Sequence, residues 1–469
     1  MFAHKICKNA WYSRIKYAAA IGADVVMRYN SEKRGGDNML TRKLSALLLE
    51  WKNTPGKKCL LVKGARQVGK TTTIEAFGKE NYKHYVYMNF DKTPEYQSIF
   101  DGNLDVKTLI KKISLVIPNA ELVPGETLIF LDEIQECPNA RTALKFLTLD
   151  GRFDVIASGS MLGIKYKEVR SYPVGQVDYL EMHSLDFEEF LWANGISPRS
   201  IGDIKEYFDT KTPVPMVMHN KMIELLKEYI VVGGMPAVVQ EFVDTHNFAK
   251  VLRLQRNIIS DYEDDIAKYA EKNQKAKAKA CFRSIPKHLS KDYKKFQYSI
   301  VEKGGSARKY GGSLDWLFDA NMINFCNNLE IPELPLEGNS ISSEFKVYMR
   351  DTGLLIAMLD EGTAKDIIDG NLGIYKGAIF ENIIADIFTK SGKKLYYFEK
   401  NNRLEIDFFI RLESKAVGVE VKSADNTKSK SLDTLIGYYG VERGIKLSTK
   451  NVGRKDKIES LPLYMAMFL

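Results

Sequence analysis

Cysteine is scarce here: five residues in a chain of 469, odd in number, scattered at positions 7, 59, 137, 281 and 326, with no C-x-x-C pair. The six histidines do not cluster. These absences exclude a disulfide scaffold and a Cys/His zinc knot, and they place the expected home of the chain in a reducing cytoplasm. Long apolar runs are also missing. The best early stretch, Tyr17 to Met27, is short and interrupted by Asp24, well under the roughly 18 apolar residues needed to cross a bilayer, so no membrane is expected. With apolar residues at 45% and charged residues at 27%, the composition is that of a globular protein, and disorder as the main state is excluded. The length fits two to four domains.

Charge is mild overall and uneven in detail. The formal net charge is +8, yet residues 265–310 alone hold thirteen Lys/Arg against four Asp/Glu. Such a window is the electrostatic footprint expected of a phosphate-backbone contact, although a solvated helical face gives the same count. Residues 1–38 hold seven Lys/Arg against three Asp/Glu and end in SEKRGGDN. They lack the apolar core and cleavage site of a secretory signal. Met39 opens a clean amphipathic helix, MLTRKLSALLLEW, so residues 1–38 read as a dispensable extension.

From Lys58 to His183 the apolar runs CLLV, YVYMNF, TLIFLD and FDVIAS alternate with helical stretches, the pattern of a parallel sheet covered on both faces. Directly after CLLV, the residues Gly64, Ala65, Arg66, Gln67, Val68, Gly69, Lys70 and Thr71 match G-x-x-x-x-G-K-[ST], with Thr72 following. Glycines let the loop wrap closely, so that backbone N–H groups point at phosphate oxygens, and the next helix N-terminus adds positive potential. Lys70 would meet the β- and γ-phosphates of ATP, and Thr71 would ligate Mg²⁺. Some sixty residues on, the strand Leu128–Asp132 ends in two acids, Asp132 and Glu133. Asp132 would hold Mg²⁺, and Glu133 would orient or polarise the attacking water. At the end of FDVIASGS, Ser158 or Ser160 would sense the γ-phosphate, a role to be weighed against a plain strand-end serine.

The blocks GARQVGKTT, FLDEIQ, ASGS and YPVGQVDYLEMHSLDFEEFL, followed by YIVVGGMPAVV, IISDYEDDIAKYA, KFQYSIVEKGGSARKYGGSLDWLFDANMI, FKVYMRDTGLL and EIDFFI…VEVKS, resemble a large prokaryotic family of AAA-type P-loop ATPases with a C-terminal region of unknown function. The resemblance covers roughly residues 40–469. It implies a multidomain α/β chain: an AAA-type P-loop parallel sheet over 39–183, a helical lid over 184–270, a winged-helix-like basic segment over 271–340 and a restriction-endonuclease-like α/β domain over 341–469. It supplies no biological role. Where many relatives carry a basic residue after the glycine of PVG, this chain has Gln176, which leaves Arg170 as the nearest candidate for an arginine finger.

In SLDWLFDANMI, Leu314, Leu317, Phe318 and Met322 share one helical face. Lys287, Lys291, Lys294, Lys295, Arg308 and Lys309 flank it as candidate DNA contacts, the geometry a winged helix would use. Four more residues suggest a Mg²⁺-dependent nuclease site: Glu381 on a helix, Asp407 in EIDFFI, and Glu420 with Lys422 in VEVKS. If LEIDFFIRL and KAVGVEVKS pair around RLESKA with Leu412 opposite Lys415, Asp407 faces Glu420. Like charges so placed repel unless a cation lies between them. The layout is that of D…E-x-K nucleases, with Glu381 as the helical acid. The expected function is therefore an ATP-hydrolysing ATPase coupled to a DNA-binding, nuclease-like C-terminal domain, with a homo-oligomer as a candidate assembly. A nucleotide-gated binding switch without cleavage, or a protein-remodelling ATPase, are the alternatives.

Overall fold

The structure, a computed structural model, describes residues 39–160, 162, 175–289, 294–371, 376–401, 404–422 and 429–469. The extension 1–38, Arg170 and Lys291 lie outside the described residues. The chain divides after Ser184 into two compact units.

The first unit is built on five parallel strands: β1 (Cys59–Lys63), β2 (His84–Asn89), β3 (Thr127–Asp132), β4 (Asp154–Gly159) and β5 (Val177–Glu181), in the order β2-β3-β4-β1-β5. Strands β1, β3 and β4 are almost wholly buried, which is why they read as continuous apolar runs. Strand β5 escapes that pattern. It lies at the sheet edge and mixes buried, half-buried and exposed positions, so VDYLE lacks a continuous apolar signal. One face of the sheet packs on the helices Val106–Val116 and Pro138–Asp150 through Leu61, Met88, Ile129, Leu131, Leu109 and Leu144. The order has a consequence for chemistry: β4 sits between β1 and β3, so its end adjoins both the phosphate loop and the acidic strand end.

The second unit begins with helices Phe187–Ala193, Pro198–Thr210, Met216–Val232, Pro236–Thr245 and Phe248–Tyr269. Three further helices, Lys275–Leu289, Tyr298–Val301 and Ala307–Asp319, lead into an antiparallel hairpin of β6 (Ile323–Leu329) and β7 (Ser340–Met349). These elements occupy the segment for which a winged-helix-like arrangement is expected. The hairpin is not a free wing, however. Strand β6 also pairs in parallel with β8 (Leu395–Lys400), so residues on both sides of 340/341 share one sheet. That sheet continues through β9 (Leu404–Leu412), β10 (Lys415–Val421), β11 (Gly444–Ser448), β12 (Gly453–Lys455) and β13 (Ile458–Pro462), in the order β12-β13-β11-β10-β9-β8-β6-β7. The helix Lys376–Lys390 precedes β8, and the helix Lys430–Tyr439 links β10 to the parallel strand β11. The β9–β10 hairpin takes the register anticipated from its turn, Leu412 opposite Lys415 through Phe408 opposite Val419. Among the described residues, no helix is long and apolar enough to cross a membrane.

Candidate functional site

The phosphate loop closes on backbone rather than on side chains. A Cβ on Gly64 would lie 2.1 Å from the carbonyl oxygen of Met182, so only glycine fits there. Gly69 begins the helix Lys70–Asn81 at φ +93°, in the left-handed region that costs glycine nothing. Lys70 is buried and donates to the carbonyl oxygens of Gly64 (3.0 Å) and Ala65 (2.7 Å). Burial lowers its ammonium pKa to about 8, against the opposing pull of Glu133 and Asp132 and with the Arg66 guanidinium adding to the shift.

Asp132, 1% exposed, is the hub. Its Oδ2 accepts from Thr71 Oγ1 at 2.9 Å, Asn89 Nδ2 at 2.9 Å and Tyr87 OH at 3.0 Å. Its Oδ1 accepts the Glu133 N–H at 3.1 Å and the Ser158 hydroxyl. The chemistry of this donor set fits a hard cation: one carboxylate and one threonine hydroxyl within 2.9 Å of each other at the foot of the phosphate loop. Glu133 occupies the left-handed region at φ +52°, a strained position for a non-glycine residue. Its Oε2 accepts from Gln135 Nε2 (2.5 Å) and Ser160 Oγ (3.3 Å). Of the two strand-end serines, Ser158 therefore touches Asp132 and Ser160 touches Glu133.

Sequence reasoning passed over three residues here. Asn89 had a signal, as the one amide within YVYMNF, and register places it beside Asp132. Gln135 lies two positions past Glu133. Arg42 had none: its guanidinium, 6% exposed, donates to Val68 O and His183 O, each at 2.7 Å, and braces the loop from outside the motif.

The C-terminal constellation departs from expectation. In β9 the register slips by one between Tyr396↔Phe409 and Phe398↔Ile406. Asp407 and Phe408 thus oppose the single residue Tyr397, as in a bulge. Phe408 pairs with Val419 and packs edge-on against Phe388 of the helix Lys376–Lys390, ring centroids 5.7 Å apart. Gly418 faces the other way, for a Cβ there would meet Leu435 of the helix Lys430–Tyr439 at 2.6 Å. Glu420 shares that opposite face, because residues i and i+2 point the same way. There it pairs with Lys422 at 2.6 Å and lies in register with Lys446. Asp407 instead has Glu381, Lys346 and Lys294 as its charged neighbours. The single site of Glu381, Asp407, Glu420 and Lys422 is therefore corrected: the sheet separates it into two halves.

The half around Glu381 is filled by cations. Lys294 Nζ bonds Glu381 Oε1, Tyr348 OH donates to Oε2 at 3.1 Å, and Lys346 Nζ lies 3.9 Å from the same oxygen. Lys346, 1% exposed, also bonds Glu405 at 2.5 Å. Against its burial, Lys294 and Lys346 keep Glu381 below the ordinary glutamate value. Burial, then Glu381, pushes Asp407 up to about 8, while the Val421 N–H donates to its Oδ2 at 2.7 Å. Among the described residues, no group of three or more His, Cys, Asp or Glu is arranged to hold a metal ion. As placed, these acids do not fit one.

The candidate DNA contacts also sort themselves. Lys294 is not a surface cation but the partner of Glu381. Lys295 pairs with Glu344 at 3.0 Å, and Lys309 pairs with Glu302. Lys287, Lys303 and Arg308 are exposed. Leu314, Leu317 and Met322 are buried as expected, whereas Phe318 is 38% exposed.

Residues 56–191 match an AAA domain, residues 223–365 a domain of unknown function (DUF8612), and residues 376–465 a further domain of unknown function (DUF4143). No curated protein matches the chain. Among solved structures, the Walker-type ATPase PabY2304 of Pyrococcus abyssi is 14% identical, with 68% of this chain and 96% of that chain covered and a TM-score of 0.41. The Aeropyrum pernix ORC2 protein is 13% identical over 73% and 96% of the two chains, with a TM-score of 0.34. DnaA from Aquifex aeolicus is 12% identical over 59% and 87%, with a TM-score of 0.27.

Proposed function

We propose that this chain, an AAA-type P-loop ATPase with a C-terminal DUF4143 domain, uses ATP hydrolysis to control a DNA contact made by its basic segment. The observation that carries the ATPase reading is the convergence of Thr71, Asp132 and Ser158, from three separate elements, at the foot of the phosphate loop. Thr71 and Asp132 would hold Mg²⁺, which supplies charge neutralisation on the phosphates. The chain's own groups do the rest. Loop N–H groups and the helix N-terminus at Lys70 bind phosphate oxygens. Lys70, now turned back on Gly64 and Ala65, supplies an ammonium to the terminal phosphates. Glu133, braced by Gln135 and Ser160, orients a water and takes its proton at Oε1 or Oε2. Ser158 ties Asp132 to the strand between the loop and the acid pair. The expected result is Mg²⁺-dependent phosphate release from ATP, with nucleotide affinity lost by at least ~10-fold in Lys70→Ala. Unchanged affinity in that variant would remove Lys70 from the site.

The DNA part of the reading is supported by the three-helix-and-hairpin order and by exposed cations at the start of the helix Ala307–Asp319. The nuclease part is not carried forward, because Asp407 and Glu420 point to opposite faces of the sheet. The C-terminal domain reads as a scaffold for binding, the non-cleaving alternative. Phosphate contacts release counterions, so binding should weaken steeply with salt. Lys303→Glu with Arg308→Glu should weaken all duplexes alike and flatten the log–log salt slope by about 1–2. A slope that stays unchanged, measured by fluorescence anisotropy, would favour a protein partner for this segment instead.

A further inference from the structure

The geometry points to a lysine-closed ion cage in the C-terminal sheet: we propose that Lys294 and Lys346 stand in place of a divalent cation among Glu381, Asp407 and Glu405, and that Lys294 latches the basic segment to this sheet. Three observations carry it. First, the three carboxylates share one face, since Glu405 and Asp407 alternate in β9 and Lys346 reaches both Glu405 (2.5 Å) and Glu381 (3.9 Å). Second, the two ammonium groups come from different places. Lys346 is built into β7, fully buried, with its Nζ 4.8 Å over the Tyr397 ring. Lys294 arrives from the stretch before the helix Tyr298–Val301, only part-buried, and bonds Glu381 directly. Third, the acid that would complete a metal site, Glu420, is turned to the other face, where it pairs with Lys422.

The electrostatics require such an arrangement. Glu381 is buried, Asp407 half-buried and Glu405 39% exposed at its side chain, and carboxylates gathered in this way repel one another unless neutralised. A metal ion would neutralise them, and so do two ammonium groups, Lys294 bonding Glu381 and Lys346 bonding Glu405, while Asp407 accepts the Val421 N–H. Lys346 is a permanent member of the cage. Lys294 is the removable one, being the more exposed and lying on a connecting segment. The latch thus ties one charge of the basic segment to the acids of the sheet, and the domain holds together without a divalent ion. This goes beyond the ATPase reading and does not depend on it.

Mn²⁺ alone is the probe, titrated calorimetrically into the nucleotide-free full chain, with Asp407→Asn in each background to isolate heat from this position. In the unsubstituted chain, no Mn²⁺ heat should be removable by Asp407→Asn. In Lys294→Met, Mn²⁺ should bind at least ~10-fold more tightly, a difference of about 1.4 kcal/mol, and Asp407→Asn should remove the gain. Lys294→Gln, which keeps a donor for Glu381 while removing the charge, gives the same reading should the methionine variant fail to fold. Lys294→Arg should behave as the unsubstituted chain. Mn²⁺ binding at Asp407 in the unsubstituted chain overturns the proposal, as does a failure of both neutral variants to gain binding. Phosphate release from ATP is recorded in parallel, so that loss of the cage and loss of the ATPase are told apart.

Discussion

Glu133→Gln protein is expected to bind ATP as tightly as the unsubstituted chain and to hydrolyse it at least ~100-fold more slowly, the scale of a lost general base. The substitution is nearly isosteric. It leaves the left-handed backbone at residue 133 and the N–H bond to Asp132 unchanged. Gln135 and Ser160 still find an oxygen on the new side chain. What disappears is a carboxylate able to accept a proton from water. Affinity should persist because phosphate recognition belongs to the loop, Lys70 and Thr71, whereas the Glu133 carboxylate accepts from Gln135 and Ser160. Nucleotide binding by equilibrium titration and phosphate release in single turnover separate the two quantities. Normal turnover in this variant would move the base elsewhere.

Lys390→Met should lower the melting temperature of the second unit by about ten degrees, more at pH 8 than at pH 5. Lys390 is 2% exposed at its side chain, 2.9 Å from Asp386 Oδ1 and 3.8 Å from Asp351 Oδ2. It also donates to Leu185 O at 3.1 Å and to Tyr229 OH at 3.0 Å. Its removal leaves two buried carboxylates facing each other, and stripping one partner from a buried pair costs about 3–5 kcal/mol. A unit of this size loses about 2–4 °C per kcal/mol. The sign of the pH effect follows from Asp386. Burial raises its pKa from 3.8 to about 7, with Lys390 opposing and Asp351 adding. A carboxyl raised on folding contributes stability that is complete below its unfolded value and is lost as pH rises through its folded value. Without Lys390 the charged form is disfavoured further, so the deficit grows on the alkaline side of 7. Adding Asp386→Asn to Lys390→Met should recover part of the loss at pH 8. A deficit that is equal at both pH values, measured by thermal unfolding, would mean the pair is not electrostatically coupled.

What the sequence determined by itself is the chemistry that lives in contiguous residues. A phosphate loop is made of neighbouring backbone N–H groups, so GARQVGKT carries its own geometry, and the buried strands on either side declare themselves as apolar runs. The β9–β10 register was equally legible, because a short turn fixes which residues face each other. The tertiary structure decided everything that depends on faces and on distant partners. A one-residue bulge opposite Tyr397 sends Asp407 to the side of Glu381 and leaves Glu420 on the other. Strand side chains alternate with a period of two, so a single inserted residue undoes an argument built on opposition, and nothing in EIDFFI announces it. Lys294 looked like one more surface cation in a basic run. Only the packing of β7 and the helix Lys376–Lys390 brought Glu381 to it. Arg42 reaches Val68 and His183 across 26 and 141 positions, a contact that local spacing cannot encode.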